Sequence, residues 1–373
     1  MGIDRRAALA AMIGGAATAA WPKLGCAETG RLFAAARRGP DGRFSAAIFS
    51  HDGKDVTAVV LPGRGHDVAV SPVSGRCVAF ARRPGNFAVA FSAYRGEAPV
   101  VFETPADRHF YGHGVFSPDG RLLYTTENDF EGRRGVIGVY DATGGFYRVG
   151  EFASHGIGPH DLAFLAGSRV MVVANGGLRE HPDIGGGRRV LNLEAVETSL
   201  AYIDVTTGAL LEKHAIPAGG ALSLRHLEVG ENNTVVLGAQ IVRGVPGGQP
   251  LAEALIYRHR RQAALVATPL SDEAAAALSG YVSSVAVDSS GTIAAATSSK
   301  GGAVVMLDVA SGRVLGIEAM RDVSGVTKRD AAGGFLVTSG VGVIADVAAT
   351  HRSVTPTAES SWNWDNHAVR VDI

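Results

Sequence analysis

Cysteine is nearly missing from this chain, with two residues in 373, Cys26 and Cys77. Cys77 alone lies beyond the amino-terminal leader described below. It sits inside the apolar run Arg76-Cys77-Val78-Ala79-Phe80, so no intrachain disulfide is available even in an oxidising compartment, and a buried strand thiol is expected. There is no haem-attachment motif, which needs two cysteines and a histidine in close order; any redox metal would have to be held by side chains alone. An excess of charge of either sign is also missing. Setting aside Asp4, Arg5, Arg6 and Lys23 leaves 32 of the 35 basic residues against 35 of the 36 acidic ones. Such balance argues against nucleic acid or an anionic membrane as partner. Beyond the leader, no stretch approaches the ~20 uninterrupted apolar residues of a membrane span. The chain has no Gly-x-Ser-x-Gly elbow and no phosphate loop, and Gly185-Gly186-Gly187 has no helix behind it and reads as flexible linker.

What the chain does have is turns. With 49 glycines, 15 prolines and no heptads, it reads as all-β. The first 27 residues stand apart. Asp4-Arg5-Arg6-Ala7-Ala8-Leu9 sets an arginine pair before an alanine-rich stretch, and Gly25-Cys26-Ala27 offers small residues for cleavage. This pattern predicts a twin-arginine-type signal peptide over 1–27, export to the periplasm, and one mature domain over 28–373. A lipoprotein reading of Leu24-Gly25-Cys26 fits less well, because Lys23 stands where a lipid-attachment box wants an apolar residue.

A phrase then recurs: a histidine, an alternating apolar run, a turn. It appears as His66-Asp67-Val68-Ala69-Val70, His113-Gly114-Val115-Phe116, His160-Asp161-Leu162-Ala163-Phe164, His226-Leu227-Glu228-Val229 and His367-Ala368-Val369-Arg370-Val371, with weaker copies near Ser284 and Gly325. The first three histidines are spaced 47 residues apart. Seven strand-rich units of about 40–50 residues predict a seven-bladed β-propeller with four-stranded blades. The expected blades are 66–105, 113–153, 160–217, 226–270, 282–320 and 323–357, with Ser117-Pro118-Asp119-Gly120 turning between the first two strands of the second. The last blade must be composite: residues 31–62 hold only three strands, and the solitary strand 366–373 supplies the fourth. Pairing the carboxy-terminal strand with the amino-terminal blade closes the ring.

In a propeller the first strand of each blade lines the axial channel, so equivalent positions converge. Five of the seven are histidine: His66, His113, His160, His226 and His367. Any one could simply bond a carbonyl of the next blade, but five at one level point to a transition metal, since buried imidazoles need a partner and are common metal ligands. Iron or copper is the expected ion, with zinc not excluded. Ser284 and Gly325 are expected to leave a gap between His226 and His367 for an exchangeable ligand. Long connections crowd the same mouth, among them 127–134, 178–198 and 243–253, together with Ser154-His155-Gly156. Glu127, His155 and His181 are candidate outer partners of the metal. The loop from Leu178 to Thr198, with His181, Arg188 and Arg189 between flexible glycines, is expected to act as a lid.

The runs from His113 to Asn128, Gly135-Val136-Ile137-Gly138-Val139, Ser154 to His160, Ala174-Asn175-Gly176-Gly177, His181-Pro182-Asp183 and Leu191-Asn192-Leu193 resemble an exported bacterial propeller family, domain-of-unknown-function family 1513. Glu180 departs from the threonine that family prefers before His181-Pro182-Asp183, and Glu194 and Glu197 replace its aspartate and proline. The resemblance implies a neighbourhood of imelysin-like and di-haem oxidoreductase-like proteins, and so periplasmic iron or metal acquisition, but no reaction. Two readings follow. One is a metal-binding propeller for delivery or redox. The other is a non-enzymatic scaffold docking an imelysin-like or cytochrome-like protein partner; under either reading a monomer is expected. A lactonase-type hydrolase is disfavoured, because such enzymes hold their metal with carboxylate and amide oxygens.

Overall fold

The computed structural model describes residues 31–93, 97–216, 221–246, 254–349 and 353–372; the expected leader and part of the 243–253 loop lie outside the described residues. Seven antiparallel sheets follow one another around a ring. Blade one comprises Gly65–Val70, Arg76–Ala81, Phe87–Ser92 and Val100–Glu103, running from the axis outward. Blades two to six repeat the plan, with inner strands Arg108–Phe116, Pro159–Phe164, Leu222–Val229, Ser284–Val287 and Val323–Lys328.

Blade seven is closed by both ends of the chain. Asn363–Trp364 and Val369–Val371 pair in two pieces with Leu32–Arg38, in the register Arg37↔Trp364 and Leu32↔Val371. Two outer strands, Phe44–Ser50 and Asp55–Val60, complete it. The pairing leaves no free inner edge, which is how a propeller avoids templating another chain.

Alternation explains the packing. The middle strands of each blade are covered on both faces, so they are almost wholly apolar, as in Cys77-Val78-Ala79-Phe80-Ala81 and Met171-Val172-Val173-Ala174. Small residues let blade seven pack closely on both neighbours, Ala34 and Ala46 against blade one and Ala35 against blade six; all three are fully buried. Where blades diverge outward, aromatic rings fill the wedge, and Phe102 stacks on Phe146 with centroids 5.0 Å apart. Among the described residues a short α-helix, Asp272–Leu278, bridges blades four and five; the Ser271 hydroxyl caps its start and Ser279 ends it at φ 49°. No helix among the described residues is long and apolar enough to cross a membrane.

Two expected boundaries move. The inner strand of blade two starts at Arg108 rather than His113, and that of blade four at Leu222 rather than His226. The histidines lie within these strands because the strands continue past them through irregular pairing.

Candidate metal centre in the channel

Each of the five histidines sits where its inner strand, or the break in it, bulges against the next. Gly65 and Val68 pair with Ala81 and Ala79, so His66 and Asp67 face a single residue. One extra residue likewise occurs at His160 and at Arg225-His226, and two extra at Tyr111-Gly112-His113 and between the two inner pieces of blade seven around His367. Blade five, whose residue is Ser284, pairs without a shift. A bulge twists the strand and re-aims a side chain, here toward the axis. Gly112 is part of the device: at φ 109°, a Cβ there would lie 2.5 Å from the His66 ring.

The five imidazoles meet. His66 lies 4.9 Å from His113 and 4.8 Å from His367 between ring centroids. His160 lies 4.7 Å from His226, and His226 lies 4.5 Å from His367. Ligand nitrogens of His66, His113 and His160 fall within 4.8 Å of one another, as do those of His113, His226 and His367. Tetrahedral zinc with ~2.0–2.1 Å bonds needs nitrogens about 3–4 Å apart, so either triad reaches one ion with small side-chain shifts. The gap expected beside Ser284 and Gly325 is closed instead. Ser284 Oγ stands 3.2 Å from His367 Nδ1, and Gly325, lacking a Cβ, lets the backbone of His367 and Ala368 pack onto blade six.

Carboxylates orient the rings. His113 donates its Nδ1–H toward Asp67 Oδ2 at 3.1 Å and lies 3.4 Å from Asp161 Oδ1. His66 Nδ1 is 3.4 Å from Asp365. Four buried ring nitrogens then have no partner among the described residues: His113 Nε2, His160 Nδ1, His226 Nδ1 and His367 Nε2. Burial above all, with neighbouring histidines and arginines adding to it, pushes His66, His160 and His226 well below the ordinary imidazole value. His367 is driven to about 3, mainly by burial. His113 is the exception: burial acts to lower it, but Asp161 and Asp67 together outweigh that and hold it above the ordinary value. Burial raises Asp161 to about 6 and Glu228 to about 7.

The belt lies deeper than the expected mouth, dividing the channel into two cavities. His66, His160 and His226 floor one of about 600 Å³, and His113, His226 and His367 face another of about 380 Å³. The larger is rich in arginine; the smaller carries Asp67, Asp161, Glu228 and Asp372 against Lys328 and Arg370.

The other expected residues lie apart from the rings. Glu127 is fully buried but turns outward along blade two, accepting from Thr125, Tyr140 and Arg148. His155, at φ 57°, bonds the Gly208 carbonyl. His181 packs on Phe130 and lies 3.5 Å from Glu131. Arg189 is exposed, whereas Arg188 of the same loop reaches the larger cavity. Sequence reasoning passed over Asp67 and Asp161, although the His-Asp dipeptide recurs in blades one and three. It also passed over Asp365 and Arg225, for which no pattern stood out. A separate cluster, Glu212, His214 and His259, was missed as well. There both His259 nitrogens are engaged, by the Tyr202 hydroxyl at 2.6 Å and the Ala263 carbonyl at 3.0 Å, which suits packing better than ligation.

A family model described as "Protein of unknown function (DUF1513)" matches residues 59–371. The chain belongs to this family. DUF1513 membership thus covers all seven blades except part of the composite one. No curated protein matches the chain. Among solved structures, Kuenenia stuttgartiensis hydrazine synthase is similar, with a TM-score of 0.58 and 14% identity over 86% of this chain and 93% of that one. At that identity the likeness is one of propeller fold.

Proposed function

We propose that this DUF1513 propeller is a periplasmic protein whose histidine belt binds one transition-metal ion, iron or copper before zinc, for metal acquisition or redox use. One observation carries the reading: buried histidines with unpartnered ring nitrogens form two triads that share His113, each with ligand nitrogens within 4.8 Å of one another, while carboxylates hold His113 from behind. Buried polar atoms without partners cost free energy, and an ion held by either triad would give such nitrogens a partner. A carboxylate behind a ligating imidazole sets its tautomer and strengthens its basicity. The depressed pKa values of His66, His160, His226 and His367 leave these four rings unprotonated and ready to ligate at neutral pH. The acidic cavity beneath His113 and His367 offers a cation an electrostatically favourable approach. Periplasmic placement rests on the arginine pair and small-residue cleavage site of the leader.

The test is metal analysis of protein purified from the periplasm without a polyhistidine tag. One ion per chain is expected, and His113→Ala combined with His160→Ala should abolish it while the chain still folds. Metal kept at full stoichiometry by the double variant would make the belt packing, and the scaffold docking an imelysin-like or cytochrome-like partner the better account.

A further inference from the structure

The larger cavity carries a second chemistry. Seven of its lining residues are arginine or lysine and two are aspartate. They arrive from several blades at one end of the channel: Arg82 and Arg83 after the second strand of blade one, Arg188 from the long loop of blade three, and Arg225 from the bulge that also carries His226. Two nearby carboxylates, Asp365 and Glu180, are already engaged. Asp365 accepts from Arg64 at 2.6 Å and Arg82 at 3.0 Å, and Glu180 accepts from Arg83 at 3.0 Å.

Arg225 stands out. It is 3% exposed, and its Nε has no hydrogen-bond partner among the described residues. A guanidinium is always charged at neutral pH. A buried guanidinium is normally paired, because its donors lose water without replacement. Arg188 approaches from the loop side, its guanidinium 3.4 Å from the Arg83 carbonyl, and is itself crowded by Arg82 and Arg83. Planar guanidinium forks that converge on one volume match oxygen anions in two-point geometry.

We propose that this cavity binds a small anion bearing two or more negatively charged oxygens, of the phosphate or polycarboxylate class, with Arg225 as its buried anchor and Arg83 and Arg188 closing over it. The site does not depend on the metal. With His66, His160 and His226 in its floor, it would nonetheless set the anion beside any bound ion.

Calorimetry and thermal unfolding of the full mature chain, with and without metal, in phosphate, citrate or chloride of matched ionic strength test this. Phosphate or citrate is expected to bind once per chain and raise Tm beyond chloride in both metal states; which of the two does so identifies the source class. Arg225→Met should lose that response yet unfold no earlier than wild type in chloride, since it removes an unpaired buried charge. Arg188→Ala, altered on an exposed loop, should bind about tenfold more weakly. If Arg225→Met fails to fold, Arg188→Ala decides alone. No response beyond chloride in wild type, or wild-type anion affinity in the variants that fold, overturns the proposal.

Discussion

Replacing Asp67 by asparagine isolates the orienting carboxylates from the ligands themselves. Asp67 Oδ2 takes the His113 Nδ1–H at 3.1 Å, and Asp161 stands second at 3.4 Å. Asparagine keeps the shape and an accepting oxygen but removes the charge that helps hold the His113 pKa up. It also relieves repulsion on Asp161, which Asp67 helps to raise, so metal-free stability should change little. Loss of such outer partners costs 10–100-fold in metal affinity, or about 1.4–2.7 kcal/mol. Because Asp161 remains to hold the ring, Asp67→Asn should fall near the tenfold end, and Asp67→Asn with Asp161→Asn toward the hundredfold end. Competition against a chromophoric chelator at neutral pH measures this. Wild-type affinity in a folded double variant would refute the view that these carboxylates tune a metal ligand.

Two further outcomes follow from the fold and the buried charges. Ending the chain at Asp365 removes Val371, which is 2% exposed, and the Val369–Val371 half of the inner pairing of blade seven, so unfolding should be easier by about 3 kcal/mol from lost burial and strand pairing; an unchanged Tm would refute the closure. For the metal-free protein, His66, His160, His226 and His367 have depressed pKa values, so the stability tied to their neutral forms is present above the unfolded imidazole value and lost as pH falls below it. Asp161 and Glu228, raised to about 6 and about 7, act oppositely, stabilising at low pH and losing that as pH rises through those values. Between pH 5 and 6 the four depressed histidines outnumber the two raised acids, so the unfolded chain binds more protons and stability should fall on acidification. Denaturant titrations across that range, giving a flat or opposite slope, would show that the histidines are not buried as neutral rings.

The repeat was legible because every blade must lay a strand against the axis and cover its middle strands on both faces; His66, His113 and His160 therefore recur at equal spacing, each followed by apolar alternation. The three-strand remainder at 31–62 forced the composite blade for the same reason, since an unpaired edge is unstable in a closed ring. Glu127 was misjudged as an outer ligand because a loop-side position in sequence does not say whether a side chain turns toward the axis or toward Arg148 on the outer strand. The bulges were invisible, since a two-residue period does not reveal where one strand carries extra residues. They decide that five imidazoles interlock in the channel's waist, closing the expected gap beside Ser284. The cationic cavity is likewise a tertiary product. Arg83, Arg188 and Arg225 are scattered over three blades of a nearly neutral chain, and only ring closure brings their charges into one volume, where Coulomb interaction and lost hydration act on them together.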